Sequence, residues 1–174
     1  MPAGRTFEPI TTYTVPGDTN NFSLGSLSQS YDHLYIICNI KSASSGAGLD
    51  YYMRINGDSS NNYVATRLGG SSAGGKSTAR QTTGTSYQLF YCVAGSNAGD
   101  WTAGEIWIPY YTSTTGTKSI LTNGGSSAEI GKTSGNWGGT SPVNQLSFSS
   151  DQGFSGSAYL GAGSTFTIYG IKGA

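Results

Sequence analysis

The sequence predicts an all-β fold, two layers of extended chain packed as an antiparallel sandwich in a single domain. Three observations predict it. The segment Gly163–Lys172 alternates, placing Phe166 and Ile168 on one face and Thr165, Thr167 and Tyr169 on the other. No window sustains a 3.6-residue apolar period, and 27 glycines interrupt any long helix. Strand-like runs instead return at roughly 8–12-residue spacing between clusters of Gly, Ser, Asn and Asp, the pattern of a sandwich or barrel.

Taken in order, Ile10–Val15 is the first candidate strand, ended by Pro16-Gly17-Asp18, and Phe22-Ser23-Leu24 is a short second piece. His33–Ile40 carries the strongest signal. Leu34, Ile36, Cys38 and Ile40 share one face, and the mixed second face of Tyr35, Ile37 and Asn39 predicts a central strand partly covered on both sides. Tyr51–Ile55 resumes the sheet. Asn56-Gly57-Asp58 is a turn that suits positive φ, with Tyr63–Leu68 as the return strand of a hairpin.

Gly69–Gly84, almost entirely small residues, reads as a long mobile loop. Further strands are expected at Tyr87–Val93, Glu105–Ile108 with Pro109 ending the ladder, Lys118–Thr122, Ala128–Ile130 and Val143–Phe148. Ser134–Gly139 is expected to be a loop. The terminal strand should pair near the first one, since an end this rich in β-branched and aromatic residues is normally docked. Residues 1–9 form an expected N-terminal arm and residues 10–174 the sandwich domain. No fixed-period repeat points to a propeller or solenoid.

Composition narrows function. Ser, Thr and Gly supply 73 of 174 residues, and charged residues only 10%, against roughly 25% in ordinary soluble proteins. The 12% aromatic content and regular strands argue against disorder. Nine basic and nine acidic residues cancel, with no basic stripe for phosphate, so no nucleic-acid partner is expected. No apolar run approaches the roughly 18 residues of a membrane helix. The Met1–Thr6 segment lacks the apolar stretch of a signal peptide, so assembly without export is expected.

Reactive constellations are thin. Cys38 and Cys92 both sit in apolar strand patterns, as buried thiols or as an inter-sheet disulfide. The single histidine, His33, opens a strand and reads as a rim residue. Asp100 and Glu105, near Trp101 and Trp107, are the best available carboxylate pair for a hydrolase, which needs two such groups about 5–10 Å apart. Asn56–Asn62 lacks the alternating carboxylates and closing Glu of a calcium loop. No catalytic residue, metal or cofactor is expected. Trp101, Tyr110, Tyr111 and Trp137 are the candidate binding residues, because loop aromatics stack on sugars or anchor protein interfaces. Trp107 becomes an outward anchor if Ile106 and Ile108 are core.

Several segments together carry a resemblance: Tyr31-Asp32-His33-Leu34 after Phe22, Leu24 and Leu27; Arg54-Ile55-Asn56-Gly57-Asp58-Ser59 followed by Asn62-Tyr63; and the closing Gly163–Lys172. The combination resembles small all-β virion proteins of tailed bacteriophages, found alone or as terminal modules of tail fibres. The resemblance implies a jelly-roll-like sandwich that assembles symmetrically, and no catalytic residues. A free-standing copy without a shaft looks most like a capsid decoration (cement) protein, whose expected partners are its own copies, as a trimer by analogy, and the major capsid protein. The expected location is the virion, assembled in the host cytoplasm, with the N-terminal arm as a clamp. The alternative is a tail-tip module that binds a host receptor or glycan through the loop aromatics.

Overall fold

The computed structural model describes residues 7–43, 50–90, 98–127, 129–157 and 159–173. Among them are twelve strands and no helix: β1 (Phe7–Thr14), β2 (Asn21–Leu24), β3 (His33–Lys41), β4 (Tyr52–Ile55), β5 (Tyr63–Ser71), β6 (Lys76–Gln81), β7 (Tyr87–Gln88), β8 (Trp101–Ile108), β9 (Lys118–Gly125), β10 (Glu129–Trp137), β11 (Leu146–Ser149) and β12 (Thr165–Ile171). An eight-stranded antiparallel sheet runs β1-β12-β3-β8-β9-β10-β5-β6, and a four-stranded sheet runs β2-β11-β4-β7. The fold is a jelly-roll-like β-sandwich.

The alternation read from the sequence sets the inner faces. Leu34, Ile36, Cys38 and Ile40 of β3 are buried, as are Phe166 and Ile168 of β12 and Ile106 and Ile108 of β8. Across the gap, Phe22, Met53, Ile55, Leu146 and Phe148 complete the core. Phe22 and Phe148 of the small sheet lie 4.8 and 4.7 Å, centroid to centroid, from Phe166 of the large one, so aromatic packing ties the layers together. The expected closure of the chain is present: β12 lies between β1 and β3, with Thr14 opposite Thr165 and Phe7 opposite Ile171.

One inward row has no side chains. Gly104, Gly124, Gly131 and Gly69 are register partners on β8, β9, β10 and β5. The Phe90 ring packs against Gly104 and Gly124 of this row: a Cβ at Gly124 would sit 2.6 Å from it, and one at Gly104 would collide with the ring and come 3.1 Å from Cys38 Sγ. The glycines that argue against helix here make room for a core aromatic.

Several expectations are corrected. Gly69–Gly84 is not a long loop: it holds the end of β5 and all of β6, joined at a tight turn where Gly75 donates to Ser71 Oγ at 3.1 Å. Backbone pairing, not side-chain pattern, builds that hairpin. Ser134–Trp137 continues β10, and β8 begins at Trp101. Asn56-Gly57 does adopt positive φ (53° and 69°), but β4 and β5 belong to different sheets, so this turn is a crossover and not a hairpin. Asn56 Oδ1 holds it by accepting from the backbone of Asn144 and Gln145 at 2.9 and 3.2 Å. Of Val143–Phe148, only Leu146 onward is strand. β1 begins at Phe7, three residues inside the expected arm; residues 1–6 lie outside the described residues. Only Tyr87–Gln88 of the expected Tyr87–Val93 strand is assigned, and its last three residues lie outside the described part.

Candidate functional site: the open face of the large sheet

The two outer faces differ. On the small sheet, the segment Asp151–Gly156 lies over Arg54. The guanidinium sits 4.2 Å from the Phe154 ring centroid, donates to Thr85 O at 2.9 Å, and reaches the carbonyls of Gln152 and Gly153. Ser23 and Ser147 beneath share a 2.7 Å hydroxyl contact. That face is occupied by the chain itself.

The outer face of the large sheet has no such cover among the described residues. Phe7, Ile37, Leu68, Trp101, Leu121 and Ile130, six of the seven large hydrophobics exposed among the described residues, project from it, and Tyr110 (67% exposed) stands at its rim. The mixed face of β3 is therefore open, not partly covered by a second layer as its pattern predicts.

Register organises this face into rows. One is aromatic: Tyr169, Tyr35 and Trp107 are cross-strand partners on β12, β3 and β8. Phe7 stacks on Tyr169 at 4.6 Å, and His33 lies 5.3 Å from Trp107 and 4.7 Å from Tyr110. His33 Nδ1 accepts the Tyr110 amide at 3.0 Å, which fixes a left-handed Tyr110 (φ 48°) and its ring position. His33 is thus a rim residue, as expected, and it orients an exposed tyrosine. Trp107 points outward because Ile106 and Ile108 are core.

The next row is polar at its centre. Ile37, Glu105, Asn123 and Lys132 are successive partners on β3, β8, β9 and β10. Tyr35 donates its hydroxyl to Glu105 Oε2, and Asn123 Nδ2 donates to Oε1 at 2.6 Å. These two bonds, with the positive charge of Lys132, hold the Glu105 carboxyl below its ordinary range. The same bond to Glu105 holds the Tyr35 phenol up at about 12. In the row after that, Ala103 and Gly125 are small while Ile130 stands tall, so the surface dips into a trough of about 460 Å³ between Ile37, Glu105, Asn123 and Ile130.

The expected site residues divide. Trp101 (46% exposed) and Tyr110 are on the surface. Tyr111, in the turn after β8, and Trp137, at the end of β10, are not: both are core, a correction to their reading as binding residues. Tyr111 donates to Ser28 O, and Trp137 Nε1 donates to Asp58 Oδ2 at 2.7 Å, so each polar tip is satisfied inside while the ring is buried. Asp58 also accepts from Ser60 N and Asn62 Nδ2, which makes Asn56–Asn62 a self-bonded turn. Asp100 precedes β8 while Glu105 lies five residues along it, about 16 Å of extended chain away, so they form no carboxylate pair. Cys38 is buried with its thiol on Gly104 O at 3.3 Å; Cys92 lies outside the described residues. Among the described residues, no three His, Cys, Asp or Glu side chains gather as a metal site, and no helix is long and apolar enough to cross a membrane. The sequence singles out Glu105 but not Asn123 or Lys132, because only strand register brings the three together.

No family model and no curated protein matches the chain. Among solved structures it is similar to a marine alginate lyase from Aplysia kurodai (8% identity, TM-score 0.37, covering 92% of this chain and 80% of that one). It is similar also to a Ruminococcus gnavus sialidase carbohydrate-binding module, CBM40 (10%, 0.33, 92% and 91%), and to the Caenorhabditis elegans galectin LEC-6 (10%, 0.33, 93% and 96%). The likeness is too remote to carry any of their activities to this chain.

The division of the aromatics has a measurable consequence. Trp137→Ala should cost about 3–5 kcal/mol in folding stability, read from the denaturant midpoint, as for other buried aromatics. Trp101→Ala should stay within about 0.5 kcal/mol. Equal effects would contradict the assignment.

Proposed function

We propose that this chain is a non-enzymatic structural protein of a tailed-bacteriophage virion, a capsid decoration (cement) protein that docks as a symmetric oligomer. The observation that carries the reading is the aromatic row of Phe7, Tyr169, Tyr35, Trp107 and Tyr110 on a sheet face that no other described residues cover. Phe7 and Tyr110 are exposed and Tyr169, Tyr35 and Trp107 half-buried, and aromatics presented on a surface in this way are enriched in protein interfaces. The sheet edges favour docking by the face. Edge strand β1 carries Pro9 and a register break between Pro9 and Thr11, and edge strand β6 carries exposed Lys76 and Arg80, devices that discourage strand addition.

A binding role also fits the titratable groups. A carboxyl held down and a phenol held up are shifted away from the values a general acid and a general base need near neutral pH. The test is to purify particles of the phage that encodes the chain. A stoichiometric band is expected, and Trp107→Ala with Tyr110→Ala should lower particle retention at least about tenfold. Particles without the protein would refute the reading. A second reading, a tail-fibre or tail-tip module that binds host glycan, is favoured by the trough beside the aromatic row.

A further inference from the structure

We propose that the trough between Ile37 and Ile130 is a saccharide-binding site selective for neutral, vicinally hydroxylated sugars over uronic or sialic acids. It deepens the second reading above by naming the ligand class. Its size is right: about 460 Å³ accommodates a mono- or disaccharide.

The hydrogen-bonding inventory argues for hydroxyls. Each Glu105 oxygen already accepts one bond, from Tyr35 and from Asn123, and a carboxylate oxygen has two acceptor positions. Two acceptor positions therefore remain side by side, fixed in direction by the two donors behind them. That is the complement of two adjacent sugar hydroxyls, each donating one proton. The second N–H of Asn123, and the Lys132 ammonium on the following strand, supply donors to the lone pairs of the same hydroxyls or the ring oxygen. The walls argue for a pyranose: Ile37 and Ile130, 46% and 65% exposed, present aliphatic surface to the C–H faces of a ring. Small Ala103 and Gly125 leave the floor open between them.

The charges argue for neutrality. Glu105 sits at the centre of the trough and offers only acceptor positions, so a ligand carboxylate placed there has no proton to donate and meets like charge. Because Glu105 stays ionised through and below the neutral range, that preference should hold wherever the particle is infectious.

The test is amide- and side-chain-resolved NMR titration of the full chain with methyl-α-glucoside, methyl-α-galactoside, methyl-α-mannoside and N-acetylglucosamine, and with glucuronic and sialic acids as acidic counterparts. At least one neutral probe should shift the resonances of Glu105, Asn123 and Lys132. The acidic probes should bind at least about tenfold more weakly. Glu105→Gln, which keeps the shape but removes the charge and replaces one acceptor oxygen by an NH2 donor, should weaken binding at least about tenfold. Ile130→Ala, an exposed wall residue whose loss cannot unfold the sheet, should weaken it severalfold. Arg80→Ala on β6, outside the trough, should change nothing. The inference is overturned if no neutral probe binds at about 10 mM, if acidic sugars bind as well, if Glu105→Gln binds like the parent, or if the shifts map elsewhere. Failure here with the protein present on purified particles would remove the saccharide site and leave the decoration reading intact.

Discussion

Replacing Gly135 with alanine should destabilise the protein by about 3 kcal/mol or more, a drop in Tm of about 10 °C. Gly135 lies on β10 opposite Ala65 of β5. A Cβ there would come 2.7 Å from Ala65 Cα and would overlap the Val64 carbonyl oxygen. Both obstacles are backbone of a paired strand, so no rotamer change relieves the clash; β5 and β10 must part. Their separation would expose the buried Tyr63, Ala65 and Trp137 side chains that the pairing covers. Gly25→Ala is the control, because a Cβ there meets nothing within 4 Å, and it should stay within about 0.5 kcal/mol. Thermal melts of the two variants read the difference directly. A Gly135→Ala protein that melts with the parent would mean that β10 and β5 are not paired in this register.

The second large effect is alkaline unfolding. Tyr63, Tyr87 and Tyr111 are wholly buried. Burial pushes the Tyr111 phenol up to about 12 and raises those of Tyr63 and Tyr87 further. In the unfolded chain a phenol titrates near about 10. Below that value both states hold the protons and these groups leave stability independent of pH. Above it, the unfolded chain releases protons that the fold retains, so stability falls as pH rises. Each retained proton costs about 1.4 kcal/mol per pH unit. Three together remove about 4 kcal/mol per unit, enough to exhaust a typical 5–15 kcal/mol within a few units. A cooperative loss of the β circular-dichroism signal is expected between about pH 11 and 12, with tyrosinate absorbance rising in the same transition. Phenols titrating smoothly near pH 10 in a protein that stays folded would contradict the burial.

Much of the fold was legible because burial on one side writes a period of two into the chain. The inner row of β3 and the inner pair Phe166 and Ile168 of β12 were read correctly for that reason. β6 and the end of β10 were not, since their residues are small or polar on both faces and only ladder hydrogen bonds make them strands. The aromatic site was half legible. Tyr111 and Trp137 sit beside Gly, Ser and Thr in the chain, which reads as loop, but their hydrogen-bond partners Ser28 and Asp58 lie 83 and 79 residues away. Trp107 was readable, because its parity opposes two core isoleucines. Glu105, Asn123 and Lys132 each carried an outward parity, yet nothing local places them at one level of three neighbouring strands.

The most direct test of the account is a cryo-EM map of the particle that carries this protein. The account expects the eight-stranded sheet to meet another virion subunit at its aromatic end, around Phe7, Trp107 and Tyr110, with the trough at Glu105 facing solvent. A map in which the large sheet's outer face is entirely free, and contact runs instead through the Asp151–Gly156 side, would contradict it.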